Sequence, residues 1–209
     1  MNTLKLLVII LFSGGSVGLA ANAAVSQEFQ TNIIEELDPF SDNVEEQLKL
    51  LDQYYEMQTG ESSHLETQDN RLANPLCYRQ GCQVWAKVVK SEQRVYFFIS
   101  GKWQSTWLVS TGAPGHSTPN FDTHPNGRIY NAYTSLSYPS GDYMGLGNMP
   151  YAVFISGAFA IHGTPQGNWP KLGTPASHGC VRVHPDGGYY FNRLVRAAGV
   201  SNTWITVMN

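Results

Sequence analysis

The sequence predicts a mainly β fold for the second half of the chain, a β-sandwich with one short helix, preceded by a short helical extension. After Cys82, short runs rich in β-branched and aromatic residues follow one another with turn residues between them. Long helical patterns do not alternate with these runs, which disfavours a parallel α/β sheet. A helical pattern stands before the β-rich half, and another interrupts it near its end.

The predicted strands are short and are separated by turn residues. Ser100-Gly101-Lys102 suits a hairpin turn, and Ser156-Gly157 joins two later runs in the same way. The sequence therefore predicts strands at 84–89, 94–99, 103–110, 127–133, 151–155, 159–163 and 203–207.

Two helices are predicted outside the strands. Apolar residues recur at helical spacing between Ser41 and Met57. Pro185 and Asp186 suit the first turn of a second helix, and Gly199 suits the position just after its end. The buried face of this second helix is predicted to consist of Phe191, Leu194, Val195 and Ala198.

The first 23 residues have the order of a secretory signal peptide. Lys5 gives a basic start, residues 6–12 form a compact apolar run, and Ala21 and Ala23 offer small residues for cleavage. A membrane-spanning helix needs about 20 apolar residues, and this run is far shorter. We therefore expect a protein that is secreted across the inner membrane into the periplasm or cell wall and does not span the membrane.

Charge divides the remaining chain into two parts. Residues 26–75 hold twelve acidic residues against two basic ones, whereas residues 76–209 hold ten basic residues against four acidic ones. We therefore expect an acidic N-terminal extension at 24–75, with one helix and a linker, and a main domain at 76–209. The basic balance of the main domain suits either a polyanionic partner or the acidic extension itself.

Three cysteines in an exported chain cannot all be joined in pairs. Cys77 and Cys82 are close enough in sequence to close a small disulfide loop, which leaves Cys180 outside it. Cys180 is then either a buried inert thiol or a reactive one.

The surroundings of Cys180 favour a reactive thiol. On extended backbone His178, Cys180 and Arg182 share one face, and the N–H groups of Gly179 and Cys180 can stabilise an oxyanion. A thiolate forms best beside a histidine that takes its proton. His162 ends an apolar strand and can face the thiol from a separate strand, with a backbone carbonyl near Gly163 orienting its imidazole.

His162, a spacer of fourteen residues, and Ser177-His178-Gly179-Cys180 resemble the signature of the L,D-transpeptidase family, the YkuD-type catalytic domain. The likeness extends over about residues 83–208 and implies that 76–209 is a YkuD-like catalytic domain. It also implies that Cys180 is the nucleophile and His162 the general base. Four further residues are expected to shape the nucleophile loop and the oxyanion site: Ser177, His178, Gly179 and Gly163.

Substrate contacts are expected at Arg182, Trp169 and Tyr151. Arg182 stands where the family motif often has Asn, and it either holds a substrate carboxylate in a bidentate contact or braces the loop. Trp169 lies in the spacer between base and nucleophile and can line the cleft. We expect no metal and no other cofactor.

The resemblance implies an exported cysteine acyltransferase that acts on peptidoglycan stem peptides as acyl donor and amine acceptor, with no nucleic-acid partner. Hydrolysis of the same stems by an L,D-carboxypeptidase or endopeptidase is the main alternative, because both reactions share the acyl-enzyme. A non-catalytic wall-binding module is a weaker alternative. So is a metal-binding module with His162, His178, Cys180 and His184 as ligands, since this spacing fits none of the usual zinc motifs.

Overall fold

The structure is a computed structural model that describes residues 44–63, 77–135 and 141–209. All of these residues belong to one compact unit, Glu35–Asn209. The predicted signal peptide at 1–23 and the predicted boundary at 75/76 lie outside the described residues. Within the described ranges, no helix is long and apolar enough to cross a bilayer.

Eight strands form one mixed sheet, which confirms the predicted mainly β fold. The strands are β1 Val84–Val89, β2 Arg94–Ile99, β3 Lys102–Ser110, β4 Phe121–Thr123, β5 Val153–Ser156, β6 Phe159–Gly163, β7 Val181–Val183 and β8 Thr203–Met208. Their order across the sheet is β4-β8-β1-β2-β3-β7-β6-β5. Most neighbours are antiparallel, but β1 pairs with β8 and β6 pairs with β7 in parallel.

The strand predicted at 127–133 is wrong. The segment forms an isolated bridge between Ile129 and Val153, and backbone bonds continue only as far as Asn131, whose carbonyl accepts from the Tyr151 N–H. The Tyr133 N–H donates to the Leu146 carbonyl rather than to β5. The sequence analysis also missed β4 and β7, which have 3 residues each and are too short to show a periodic pattern.

A single hydrophobic core lies between the sheet and the C-terminal helix, α2 (Pro185–Ala198). Phe191, Val195 and Ala198 of α2 are buried, as predicted, whereas Leu194 is half-buried against the same core. Burial of each large apolar side chain contributes about 1.5–3 kcal/mol to the free energy of unfolding. The core thus joins α2 to the sheet and fixes β6, which carries His162, and β7, which Cys180 precedes.

The N-terminal helix, α1 (Val44–Thr59), packs against the segment 128–133. The ring centroids of Tyr55 and Tyr130 lie 4.9 Å apart in an edge-to-face contact. The Arg128 Nε donates to Asp52 Oδ2 at 3.0 Å, in an ion pair with both side chains largely buried. The described part of the predicted extension is therefore attached to the main domain through specific polar and aromatic contacts.

The predicted disulfide is present between Cys77 and Cys82, with the two Cα atoms 4.8 Å apart. Its loop is held against the sheet by Asp122 at β4. This carboxylate accepts from the Arg79 guanidinium at 3.0 Å and from Trp204 Nε1 at 2.8 Å. The disulfide loop therefore secures the sheet edge formed by β4 and β8.

Candidate active site

The parallel pair β6–β7 brings the predicted base and nucleophile to one face of the sheet. His162 of β6 lies opposite Arg182 of β7, and Ile161 lies opposite Val181. Cys180 immediately precedes β7. Because residues two apart on extended backbone point to the same side, the side chains of Cys180, Arg182 and His162 share one face.

The His162 imidazole is buried and held in one tautomer. Its side chain is only 4% exposed, and Nδ1 lies 2.7 Å from the Gly163 carbonyl oxygen. A carbonyl oxygen can only accept, so Nδ1 carries the proton and donates it to this bond. The Nε2 lone pair is left to accept a proton, which is what a general base requires. The expectation that a carbonyl near Gly163 orients the ring is confirmed.

The same burial keeps His162 neutral. Desolvation lowers the pKa of His162 to about 3, and the positive charge of Arg182 lowers it as well, while the bond to Gly163 acts in the opposite direction. A neutral imidazole at neutral pH is ready to receive a proton.

Close packing of α2 on the end of β6 fixes the carbonyl that holds His162. A Cβ atom at Gly188 would lie 2.8 Å from the Gly163 backbone nitrogen. A Cβ at Gly163 would in turn lie 3.0 Å from atoms of both Pro150 and Pro185. A glycine is therefore needed at position 188, because the backbones of α2 and β6 approach closely there.

Side-chain hydroxyls hold the loop before Cys180. Ser177 Oγ donates to the Cys180 carbonyl at 2.5 Å and accepts from the Gly179 N–H at 3.1 Å. Thr118 Oγ1 donates to the Gly179 carbonyl at 2.7 Å and accepts from the Gly112 N–H at 2.9 Å. The Gly179 N–H thus donates within the loop in this structure, and its role as an oxyanion donor stays a prediction.

Thr118 is a loop residue that the sequence analysis did not assign. It is buried, and it ties the segment after β3 to the nucleophile loop across 61 positions of sequence. A single threonine in a polar loop carries no periodic or spacing signal. Only the folded chain shows that its hydroxyl bridges two backbone groups.

Arg182 braces the nucleophile loop in this structure. Its NH1 donates to the Ala176 carbonyl at 3.0 Å, and its side chain is half-buried. The sequence left two roles open for Arg182, a contact with a substrate carboxylate and a brace for the loop. The bond to Ala176 supports the second role. The positive charge of the same guanidinium also contributes to the lowered pKa of His162.

The Cys180 thiol is half-buried and lies beside the turn that joins β5 to β6. Its Sγ is 3.4 Å from the Ala158 carbonyl oxygen, within reach of a weak S–H donor. His178 flanks it in the loop, and its ring meets the exposed ring of His116 edge to face at 5.2 Å. His178 therefore packs towards the 112–118 turn.

Trp169 and Tyr151 lie near the other end of the β6–β7 pair. Trp169 Nε1 donates to the Thr164 carbonyl at 2.9 Å, and its ring lies 4.4 Å from that of His184. The Tyr151 ring lies 5.2 Å from that of Tyr189 on α2. These contacts place both residues beside the start of α2, and their role in substrate binding stays a prediction.

The structure does not support the alternative of a metal-binding module. The described residues contain no group of three or more His, Cys, Asp or Glu side chains placed to hold an ion. His184 has a different role, because its Nδ1 accepts from the Asp186 N–H as the N-cap of α2. The Nδ1 atom of His162 is already engaged with Gly163.

Comparison with known proteins places this arrangement in a family. Solved structures with a similar fold include L,D-transpeptidase 3 from Mycobacterium tuberculosis, with 18% identity, 62% of each chain covered and a TM-score of 0.50. An L,D-transpeptidase from Mycobacterium smegmatis has 18% identity and a TM-score of 0.48, over 62% of this chain and 60% of its own. The L,D-transpeptidase from Stackebrandtia nassauensis has 16% identity and a TM-score of 0.48, over 69% and 62%.

This chain thus spans less than two thirds of the length of those solved chains. At 18% identity, the likeness to L,D-transpeptidase 3 shows the fold alone. No curated protein matches the chain by sequence. The family model named YkuD, the L,D-transpeptidase catalytic domain, matches residues 83–201. That match covers more than half of the chain and includes β6, the nucleophile loop, β7 and α2. The chain belongs to the YkuD family of L,D-transpeptidase catalytic domains.

Proposed function

We propose that this protein is an exported cysteine acyltransferase that acts on peptidoglycan stem peptides, with the acyl-enzyme on Cys180. Family membership supports the L,D-transpeptidase reaction. The single observation that carries the assignment of residues is the β6–β7 register. His162 pairs with Arg182, two residues after Cys180, and Nδ1 of His162 donates to Gly163, which supports the assignment of Cys180 as nucleophile and of His162 Nε2 as base.

In the proposed reaction the Cys180 Sγ attacks the carbonyl carbon that follows the L-centre of a diamino residue. The thiol proton passes to Nε2 of His162 as the S–C bond forms. The C–N bond to D-Ala then breaks, and the imidazolium returns the proton to the departing amine. An acceptor amine attacks the resulting thioester and loses its proton to His162, which releases the new amide and restores the thiol.

Export is part of the proposal and is supported by the N-terminal sequence. The basic start, the apolar run at 6–12 and the small residues at Ala21 and Ala23 are typical of a cleaved secretory signal. The disulfide between Cys77 and Cys82 is also typical of an oxidising compartment. We therefore propose the periplasm or cell wall as the site of action.

Mass spectrometry of the products from one disaccharide-tetrapeptide, with and without an amine acceptor, tests the proposal. We expect D-Ala release and a cross-linked or amine-exchanged product with the wild-type protein, and neither with Cys180→Ala. Full turnover by Cys180→Ala would refute the proposal. Release of D-Ala with transfer only to water would make the protein a hydrolase.

The identity of the base is tested by comparing His162→Ala with His178→Ala, because both remove an imidazole from the site region. A general base contributes about 10²–10⁴ in rate. We expect a loss of that size in the acylation of Cys180 by a carbapenem for His162→Ala, and a smaller one for His178→Ala. If both variants fold and His178→Ala is the slower, the base is assigned to the wrong residue.

A further inference from the structure

A row of aromatic side chains crosses the face of the sheet that points away from the hydrophobic core. Its four members are register partners on four adjacent strands: Trp204 on β8, Trp85 on β1, Phe98 on β2 and Trp103 on β3. The residues on either side of Trp85 in β1 belong to the core, and side chains alternate between the two faces of a strand. We call these four residues the aromatic row, and with about 4.8 Å between strands they span roughly 14 Å.

Both ends of the aromatic row are open to solvent. Trp103 is 61% exposed at one end. At the other end Tyr78 is 51% exposed, and its ring packs 4.9 Å from that of Trp204. Between the ends the Trp85 ring is buried and stacks on the half-buried Phe98 ring at 4.7 Å. Aromatic surface that continues over several side chains and reaches solvent is typical of a binding surface.

The indole rings of the aromatic row are held in place by the protein itself. Each indole N–H donates to an oxygen atom at 2.8–3.0 Å: Trp103 to Thr106 Oγ1, Trp85 to Thr206 Oγ1 and Trp204 to Asp122 Oδ1. The polar edges of the rings are therefore satisfied, and the rings offer a ligand their apolar faces. Because these rings are already ordered, little conformational freedom is lost when a ligand stacks on them.

Positive charge lies on the same face as the aromatic row. Lys87 follows Trp85 by two residues and Arg94 precedes Phe98 by four, so alternation puts both cations on this face. Neither cation is in an ion pair with a carboxylate within the described ranges. Two carboxylates on or beside this face are already engaged: Asp122 with Arg79, and Glu92 with the Tyr96 hydroxyl. The face therefore suits a ligand that carries negative charge.

The combination of fixed ring faces and cations indicates the chemistry of the ligand. A saccharide ring has a flat patch of C–H groups that stacks on an aromatic face, so rings set in line suit a chain of sugars. The cations suit carboxylates carried by that chain. We propose that the aromatic row, with Tyr78, Lys87 and Arg94, is a second binding site that holds the glycan strand of peptidoglycan. This inference rests on the proposed function, because that function brings the protein to peptidoglycan.

The aromatic row is separate from the candidate active site but is connected to it by β3. Trp103 precedes Ser110 by seven residues, and Ser110 pairs with Arg182 of β7. With a rise of about 3.3 Å per residue, Trp103 lies roughly 20 Å along the strand from that pair. A glycan strand held at the row would keep its stem peptides at a high effective concentration near Cys180.

A polymeric and a soluble substrate separate this site from the active site. We expect Trp103→Ala to weaken binding to purified sacculi about tenfold or more in a cosedimentation assay, because one exposed ring face is lost. D-Ala release from a soluble disaccharide-tetrapeptide should be unchanged, since that substrate is too short to reach both sites. Glycan strands freed of stem peptides by an amidase should still bind, and free stem peptides should not compete.

Two further variants serve as controls. Trp103→Tyr keeps an aromatic ring at the end of the row and should restore most of the binding. Met57→Ala removes an apolar side chain of similar exposure, 53%, from α1 and should bind sacculi like the wild type. All three substitutions are at exposed positions, so we expect unchanged melting temperatures.

Several results would overturn the inference. They are wild-type binding by Trp103→Ala, an equal loss with Met57→Ala, and competition by free stem peptides with no binding of the stripped strands. A dimer of the wild type that Trp103→Ala dissociates would instead make the row an interface between two copies. If sacculi bind through the row but the wild type does not release D-Ala from the soluble substrate, the proposed function fails and this inference stands, so the two failures are distinguishable.

Discussion

The two halves of the candidate active site are held by different means. His162 lies within a strand, is buried, and has its orienting carbonyl fixed by the close approach of α2 at Gly188. Cys180 is half-buried in a loop that is held by the hydroxyls of Ser177 and Thr118. The base is therefore positioned by backbone packing, and the nucleophile by side-chain hydrogen bonds.

The base and the nucleophile have different requirements in the proposed reaction. A base that is fixed and desolvated keeps its tautomer and its neutral state, whereas a nucleophile must remain accessible to a large substrate. Side-chain hydrogen bonds can hold a loop in an attacking geometry without covering it. Changes to the base half should therefore affect stability and activity together, and changes to the loop should affect activity more than stability.

The largest expected effect is a loss of folding stability at acidic pH, caused by His162. The pKa of His162 is lowered to about 3 in the folded protein, below the value of about 6.5 for an unfolded histidine. Between these values the unfolded chain binds a proton that the folded protein does not, so this contribution to stability is complete above pH 6.5 and is lost as pH falls. The loss should be on the order of 3 kcal/mol between pH 7 and pH 4.

Urea unfolding of the wild type and of His162→Asn at a series of pH values measures this effect. The asparagine amide can still donate to the Gly163 carbonyl but does not titrate. We expect the wild type to lose more stability than the variant on acidification. Parallel loss in the two proteins would show that His162 does not carry the effect.

The second prediction tests the close packing of α2 on β6, which positions His162. Gly188→Ala would place a Cβ atom 2.8 Å from the Gly163 nitrogen and push α2 away from β6. We expect a loss of about 1–3 kcal/mol in the free energy of unfolding, together with slower acylation of Cys180. Gly167→Ala is the control, because a Cβ atom there meets nothing within 4 Å. Equal stability of the two variants would contradict the proposed role of close packing.

The smallest effect on stability is expected in the loop. Thr118→Val removes the hydroxyl that joins Gly112 to Gly179 and should cost about 1 kcal/mol. We expect the acylation rate to fall about tenfold, more than the stability change implies, because a loosened loop misplaces the thiol. Thr118→Ser keeps the hydroxyl and should restore the rate. If valine and serine behave alike, the hydrogen bonds do not position the loop.

Local patterns were enough to predict much of the fold. Runs of β-branched and aromatic residues between turn residues predicted six of the eight strands, and the Pro185 and Gly199 signals predicted α2, because these features depend on near neighbours. Wrong or missing strands occurred where pairing is decided by distant partners. The segment 127–133 is rich in strand-forming residues, yet it forms only an isolated bridge to Val153, and by Tyr133 its backbone bonds to Leu146 and Met149 instead.

The sequence by itself determined the chemistry that this protein can carry: a histidine and a cysteine at a family spacing, and a disulfide between the other two cysteines. Tertiary structure alone decided how those groups are set. It directed the Gly179 N–H to the Ser177 hydroxyl and brought the Thr118 hydroxyl, 61 positions away in sequence, to the Gly179 carbonyl. These features depend on burial and on contacts between distant segments, which a linear pattern of residue types does not record.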